Sequence, residues 1–383
     1  VLGALGAASL AAGVALTIPA PVHAASSSGR LPKDLLPGGA LDRFVVQQAA
    51  QDKFSGTVLL AHHGRPVLIR SCGMADRQQS VPNRMDTIFS LASITKIITG
   101  LAVAQLAQQG KVVFHEKLGA YLDGFPAEIA NRVTVHQLLT HTSGVGRPPL
   151  GPGIPGSQEW DTAGEVVNGT MAVIRQAPPQ FPPGTRYSYT NDGFWILGAI
   201  IAQVSGQSYF DYVREHIFAP AGMTRTDFYT RPQVPANPDI ARPYWTQQSG
   251  TRVDFTTTPY FEFIGGPDGG AYSTAEDLLR FVTALRTGRL LNRSFAELVT
   301  GGKVPVPPTG RPTGASQRLA GYGFEDLIFG DRRVFGHPGG GPGRATNLDV
   351  YPDLGWVSVV LGNYDTTIDP IVDLQRQLIG SQG

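Results

Sequence analysis

Cysteine is almost missing: Cys72 is the only one in 383 residues. No intrachain disulfide can form, and no Cys-based zinc site can be built. Standing beside a glycine in a strand-like stretch, Cys72 reads as a small core residue. Lysine is scarce as well, limited to Lys33, Lys53, Lys96, Lys111, Lys117 and Lys303, so a Lys inside an apolar segment stands out. The formal net charge of +1 gives no support for nucleic-acid binding or for steering toward a polyanion. His62, His63, His115, His136 and His141 show no H-E-x-x-H or similar spacing, so neither a metal nor another cofactor is expected. A G-x-S-x-G elbow is absent, which removes the main support for an α/β-hydrolase. Gly151-Pro152-Gly153-Ile154-Pro155-Gly156 spells G-x-G-x-x-G, but its prolines forbid the helix that a dinucleotide site needs.

The opening stretch, Val1 to Ala24, carries no side-chain charge apart from the titratable His23. It runs through Ala, Gly and Leu to Pro19 and Pro21 and ends in Val22-His23-Ala24, which fits signal-peptidase cleavage after Ala24. The basic n-region of a leader is missing, as in a chain that starts inside its leader. An uncleaved anchor needs ~18 apolar residues; the two prolines and the small-residue ending favour cleavage instead. No Cys follows, so a lipoprotein anchor is excluded. The expectation is an exported protein, periplasmic or secreted, with no stable membrane span once the leader is removed.

Behind a flexible segment, Ala25–Pro37, the remaining residues 38–383 read as one domain. Leu41 to Gln51 is amphipathic and helical. Gly56 to Ala61 and Pro66 to Arg70 are apolar, β-branched runs joined by His62-His63-Gly64-Arg65, a hairpin with Gly in its turn. Ser93 to Gln109 is a helix whose apolar positions Ile94, Ile97, Ile98, Leu101 and Ala104 follow a 3.6-residue period, with Gly110 as its stop. Helices separated by proline-rich loops follow, among them Phe194 to Val204. Thr274 to Thr287 opens on Thr274 and Asp277 in a capping-box arrangement. Tyr322–Phe329, Arg333–Gly336, Thr346–Tyr351 and Trp356–Leu361 are strands, and Ile368 to Ile379 closes the chain as a helix. Strands at both ends and helices between predict an α+β fold. Its antiparallel sheet, flanked by helices, comes from about 38–115 and 255–383, and an all-helical insertion occupies about 116–254.

Three short motifs carry chemistry. In Ser93-Ile94-Thr95-Lys96 the first and last residues share a helix face, with Cβ atoms about 5–6 Å apart, so the amine reaches the hydroxyl. Ser93 starts the helix, where unpaired N–H groups stabilise negative charge. Lys96 is the only charged residue between Ile88 and Gln109; burial would lower its pKa and free a neutral amine as base. A helix-capping Ser beside a snorkelling Lys fits the same four residues equally well. Tyr189-Thr190-Asn191 lies in a turn-rich segment before the Phe194 helix. A phenol near a cationic Lys has a depressed pKa and can relay a proton to a leaving group, while an amide two residues on can hydrogen-bond a substrate carbonyl. His337-Pro338-Gly339-Gly340 follows a strand; its glycines offer a close backbone approach and N–H donors, or simply make a tight turn.

Taken in this order, the motifs resemble those of the serine β-lactamase and penicillin-binding superfamily, S-x-x-K, S-D-N and K-T-G. The likeness is to the class C branch, with its DD-carboxypeptidase, D-aminopeptidase and esterase relatives, in which Tyr-x-Asn replaces Ser-x-Asn. It extends from about Leu41 to Asp365 and includes Phe89–Lys96, Leu138-Leu139-Thr140-His141-Thr142-Ser143-Gly144, and Gly269–Asp277. The resemblance implies a β-lactamase/transpeptidase-like fold. It implies Ser93 as nucleophile, Lys96 and Tyr189 as the proton-transfer pair, and Asn191, His337 and Gly339 against the substrate. The backbone N–H groups of Ser93 and Gly340 would form the oxyanion hole. Which of Lys96 and Tyr189 is the formal base stays open.

One departure bears on substrate. Where β-lactamases carry Lys-Thr-Gly, this chain has His337-Pro338-Gly339, so the pair that grips a substrate carboxylate is gone; Arg344 is the nearby cation that could replace it. A small-molecule or peptide substrate is expected. The reaction is then hydrolysis of D-amino-acid cell-wall peptides or β-lactams, or of carboxylic esters on the same fold. A non-catalytic binding protein is the remaining alternative.

Overall fold

The computed structural model describes residues 31–146, 154, 156–308 and 314–381. The leader-like stretch lies outside them. Of the segment expected to be flexible, residues 25–30 lie outside the described residues, while Lys33–Leu35 forms a 3-10 turn with Leu35 fully buried.

An eight-stranded antiparallel sheet organises the protein. Its strands are β1 (Gly56–His62), β2 (Arg65–Cys72), β3 (Val304–Pro305), β4 (Gln317–Ala320), β5 (Glu325–Phe329), β6 (Arg332–Gly341), β7 (Arg344–Tyr351) and β8 (Trp356–Gly362). They lie in the order β2-β1-β8-β7-β6-β5-β4-β3. The N-terminal hairpin thus pairs directly with the last strand, Gly56 opposite Gly362 and His62 opposite Trp356. His63 and Gly64 both have positive φ in the two-residue turn between β1 and β2, the conformation a tight hairpin demands.

The helices that matter for the site are α1 (Ala40–Ala50), α2 (Thr95–Gln108), α3 (Ala163–Gln176), α4 (Asp192–Ser205), α5 (Tyr209–Val213), α6 (Ala275–Arg286) and α7 (Asp369–Gly380). Strand β8 is buried along its whole length because both sheet faces are covered. Val357, Val359 and Leu361 join the core that holds Leu278, Phe281 and Leu285 of α6. On the opposite face the Ser358 hydroxyl donates to Gln375 of α7, and Arg376 of α7 forks onto Asp349 of β7. Alternate residues therefore serve two helical layers, the period-2 logic of a strand.

Helices lie between α2 and α6, and Tyr272–Ser273 there pairs with Phe89–Ser90; the stretch expected to be all-helical, about 116–254, also holds a short ladder of Tyr244–Thr246 with Arg252–Asp254. That ladder is tied to the sheet end of the fold, the Tyr244 N–H donating to Asn363 O at 2.8 Å. Helix α6 opens on Thr274, whose hydroxyl caps the Asp277 N–H at 3.1 Å. The reciprocal half of the capping box is absent. The Asp277 carboxylate instead accepts from the Arg225 N–H and the Thr226 hydroxyl and pairs with Arg280. No helix among the described residues is long and apolar enough to cross a membrane.

Helix α2 is buried on nearly all sides, Thr95 through Leu106, so it threads the core and ends at Gly110 with φ 73°. It is crossed at van der Waals range by the Tyr322-Gly323 backbone. A Cβ on Gly100 would meet the Tyr322 carbonyl, and one on Gly323, whose φ is 80°, would meet the Lys96 carbonyl. These bare Cα atoms fix where α2, and with it Lys96, sits against the sheet. Gly100→Ala is expected to lower unfolding stability by about 1–3 kcal/mol through overpacking, read as a lower denaturation midpoint at unchanged m-value.

Candidate active site

Ser93, expected at the helix start, lies two residues before the first residue of α2. Ala92–Ile94 forms a 3-10 turn leading into α2, and Ala92 adopts φ 46°, a left-handed conformation uncommon for a residue with a Cβ. The turn leaves the Ser93 side chain half-buried, while the Thr95 N–H at the head of α2 bonds back to the Ala92 carbonyl.

Lys96 is fully buried, with 0% of its surface exposed. Its ammonium is met by three oxygens: Asp268 O at 2.6 Å, Asn191 Oδ1 at 2.8 Å and Ser93 Oγ at 3.2 Å. The rings of Tyr189 and Phe194 lie 5.0 and 5.4 Å from Nζ. Burial pushes the Lys96 pKa down to about 8, opposed by the Asp268 charge. Two of the three oxygens belong to amide carbonyls and can only accept. When the ammonium loses a proton, its two remaining N–H bonds stay on Asn191 and Asp268, and the lone pair faces Ser93 Oγ. A neutral amine here is aimed before it acts.

The Tyr189 hydroxyl donates to Ser93 Oγ at 2.8 Å, so Lys96 and Tyr189 converge on the same oxygen. Tyr189 keeps 43% of its surface open, on the cleft side. Its pKa moves opposite to the expectation: burial of the hydroxyl raises it, and the bond with Ser93 only partly offsets that. The phenol therefore stays protonated at neutral pH. Asn191, expected to contact substrate, is exposed and spends its Oδ1 on Lys96; among the described residues its Nδ2 has no hydrogen-bond partner.

His141 is the site residue that sequence motifs identified only as part of a turn. Its imidazole stacks on Tyr189, with centroids 4.4 Å apart and planes at 28°. It accepts from the Thr190 N–H at Nδ1 (3.2 Å), while its carbonyl accepts from the Ser188 N–H (2.8 Å). Burial, and then the Lys96 charge, hold its pKa well below the ordinary histidine value, so it is neutral. With φ 58° it occupies left-handed backbone that His tolerates better than most residues. The Asp268 carbonyl on Lys96 had no motif to announce it.

The expected turn at His337–Gly340 is strand instead. Strand β6 runs on to Gly341, and the reversal is made by Pro342 and Gly343, the latter at φ 70°. Partner strand β5 stops opposite Gly336, so beyond that point one side of β6 is an edge facing the cleft, where Pro338 needs no N–H partner. Counting from the closing pair Gly341–Arg344, the antiparallel alternation turns the Gly340 N–H away from β7 and toward that edge. A Cβ on Gly339 would lie 2.6 Å from Leu91 O and 3.1 Å from the Ala92 Cβ. Its bare Cα thus brings β6 against the nucleophile turn. His337, expected against the substrate, is 4% exposed; its Nδ1 is bonded to the Pro338 carbonyl, and its ring lies 6.3 Å from that of Tyr189. Burial brings its pKa down to about 4 despite the Glu325 carboxylate, so it is uncharged. Arg344 leans on Pro342 O at 3.3 Å and Ser90 Oγ at 3.5 Å. Among the described residues no group of three or more His, Cys, Asp or Glu could hold a metal ion.

If the His141 ring positions Tyr189, then His141→Asn, which suits the same backbone, is expected to keep the fold but lower kcat about tenfold. That fold-change corresponds to about 1.4 kcal/mol, the scale of one lost hydrogen bond and stack. Thermal melts beside steady-state kinetics check it; an unchanged kcat in a folded variant contradicts it.

Comparison with known proteins agrees with this geometry. The Beta-lactamase family model matches residues 41–379. Penicillin-binding protein 4* of Bacillus subtilis is 30% identical over 81% of this chain and 68% of its own length. Esterase EstB of Burkholderia gladioli is 30% identical over 78% of this chain and 81% of its own. The crystal structure of a penicillin binding protein from Bacillus halodurans superposes with a TM-score of 0.74 at 28% identity, covering 87% of this chain and 98% of that one. With a serine, a buried lysine and a tyrosine converging on one oxygen at the edge of an antiparallel sheet, this chain belongs to the beta-lactamase family and is a serine hydrolase.

Proposed function

We propose that the protein forms an acyl-enzyme on Ser93 and that its preferred substrates are carboxylic esters without a free carboxylate beside the scissile bond. The observation that carries the substrate choice is the uncharged floor of the cleft. At the place where a cation and a hydroxyl would grip a carboxylate, His337 is buried and neutral and Pro338 has neither group. The esterase among the relatives supports the same reading.

In the attack step, the Ser93 O–H proton passes to the Lys96 lone pair as Oγ bonds to the substrate carbonyl carbon. The N–H groups of Ser93 and Gly340 receive the oxyanion. Collapse of the tetrahedral intermediate expels an alkoxide. Tyr189, protonated and already hydrogen-bonded at Oγ, gives it a proton and is recharged from the Lys96 ammonium. Water then repeats the steps in reverse order on the acyl carbon, restoring Ser93. Lys96 rather than Tyr189 is the base in this scheme, because burial lowers the pKa of the amine and raises that of the phenol.

Hydrolysis of D-amino-acid peptides or β-lactams is the second reading, favoured by Arg344, whose guanidinium lies beside Ser90. The leader-like Val1–Ala24 supports export, to the periplasm or the medium.

Only the deprotonated amine is a base, so kcat/KM for an ester should rise with pH through a midpoint near 8, the pKa of Lys96. A profile flat from pH 6 to 9 would remove Lys96 from that role. Intact-mass measurement should show an acyl adduct on wild type and none on Ser93→Ala. A p-nitrophenyl ester should acylate at least tenfold faster than a fluorescent penicillin. The reverse order, abolished by Arg344→Ala, establishes the peptide and β-lactam reading instead.

A further inference from the structure

Behind the wall that holds Lys96 lies a cavity of about 480 Å³, which none of Ser93, Tyr189, Asn191 or Gly340 lines. Its size falls in the range of small-molecule sites, about 300–1,000 Å³. Helices α3 and α4 face it with small residues, Ala163 and Gly164 on one and Gly198, Ala199 and Ala202 on the other. Trp195, Tyr209 and Phe210 supply aromatic surface. Arg214, the one cation among the described residues of its lining, is already matched by two carboxylates, Asp227 at 2.7 Å and Asp211 at 3.1 Å. Asp211, the carboxylate on the lining, is itself spent on Arg214, so the charges of the lining are paired with each other or with Asp227 rather than left for an ionic ligand.

The cavity also touches the catalytic machinery from outside. Pro267 is part of its lining, and the next residue, Asp268, supplies the carbonyl bonded to Lys96. The Pro267 carbonyl is itself held at 2.6 Å by Thr99, which also bonds the Tyr209 hydroxyl at 2.8 Å. One wall residue, Tyr209, and one loop residue, Pro267, thus connect the cavity to α2.

We propose that this cavity is a second binding site, separate from the Ser93 cleft, for an uncharged molecule with an aromatic body, and that its occupancy is felt at Lys96. An apolar occupant replaces cavity water next to Pro267. Lowering the polarity there further disfavours the ammonium form, so the pKa of Lys96 moves down. Binding itself is independent of the catalytic reading; the effect on Lys96 rests on it.

The test uses the full chain carrying Ser93→Ala and the uncharged fluorescent probe N-phenyl-1-naphthylamine. Saturable binding of one probe per chain is expected. A Cβ on Gly164 has only the Thr162 hydroxyl near it, at 4.0 Å, so Gly164→Phe fills the cavity without a backbone clash. Added to the Ser93→Ala chain, it should weaken binding at least tenfold; Ala199→Phe, on the opposite wall, gives a second reading should one variant misfold. In the catalytically intact chain, Gly164→Phe without probe should itself lower the kcat/KM midpoint, since the added ring occupies the same space as the probe. Saturating probe should move the wild-type kcat/KM midpoint to lower pH and leave that of Gly164→Phe in place. Binding that does not saturate, survives both substitutions, or is displaced when Ser93 of the wild type is acylated overturns the site. An unmoved midpoint in wild type with the probe bound overturns the effect on Lys96.

Discussion

Everything near the cleft depends on one buried amine. Lys96 sits in a helix with apolar neighbours on almost every side, where a charge without partners is costly. Three oxygens meet it, two of them amide carbonyls fixed by the fold. Burial lowers its pKa to about 8, and the two carbonyls decide which direction its lone pair points. The third oxygen, Ser93 Oγ, is the one atom in that shell able both to accept from the ammonium and to donate to the amine. An exposed lysine would have neither the proton affinity nor the aim.

Holding that geometry takes close backbone contacts at several places. Gly100 and Gly323 let the Tyr322-Gly323 crossing press on α2, and Gly339 lets β6 reach the Leu91-Ala92 backbone. Ala92 itself is held at φ 46° directly before the nucleophile. A left-handed alanine costs about 1–3 kcal/mol and persists only where surrounding packing over-determines it. Strain there, and bare Cα atoms around it, keep Ser93 at the meeting of α2, β6 and the Tyr189 segment.

Much of this was legible from residue patterns. The hairpin at His63-Gly64, the helix after Ser93 and the pairing of both chain ends into one sheet follow from period and turn chemistry. The grouping of Ser93, Lys96 and Tyr189 is what the family resemblance implies, and the three side chains meet at Ser93 Oγ. Other features were hidden because they arise from contacts distant in sequence. His337-Pro338-Gly339-Gly340 looks like a turn from its glycines; it is strand because β7 pairs with it and the Leu91-Ala92 backbone needs its bare Cα. The phenol of Tyr189 was expected to be acidified by Lys96, yet burial outweighs that. Asp268 acts through its main-chain carbonyl, which no side-chain motif can reveal. His141 was visible as a turn residue, but its stacking on Tyr189 spans 48 positions of sequence, 189 minus 141.

The same kind of burial that tunes the amine keeps His337 neutral beside an exposed Pro338. The proposed chemistry and the proposed ester selectivity thus rest on one property, the low polarity around α2 and β6. The most direct test is an NMR titration of Lys96 in the full chain, made practical by the presence of only six lysines. Carbon-13 labelling at Cε, with the signal assigned through Lys96→Arg, follows protonation without reference to any substrate. A midpoint near 8 is expected; one near 10.5, the ordinary value for an exposed lysine, would contradict a buried, poised amine as the base for Ser93.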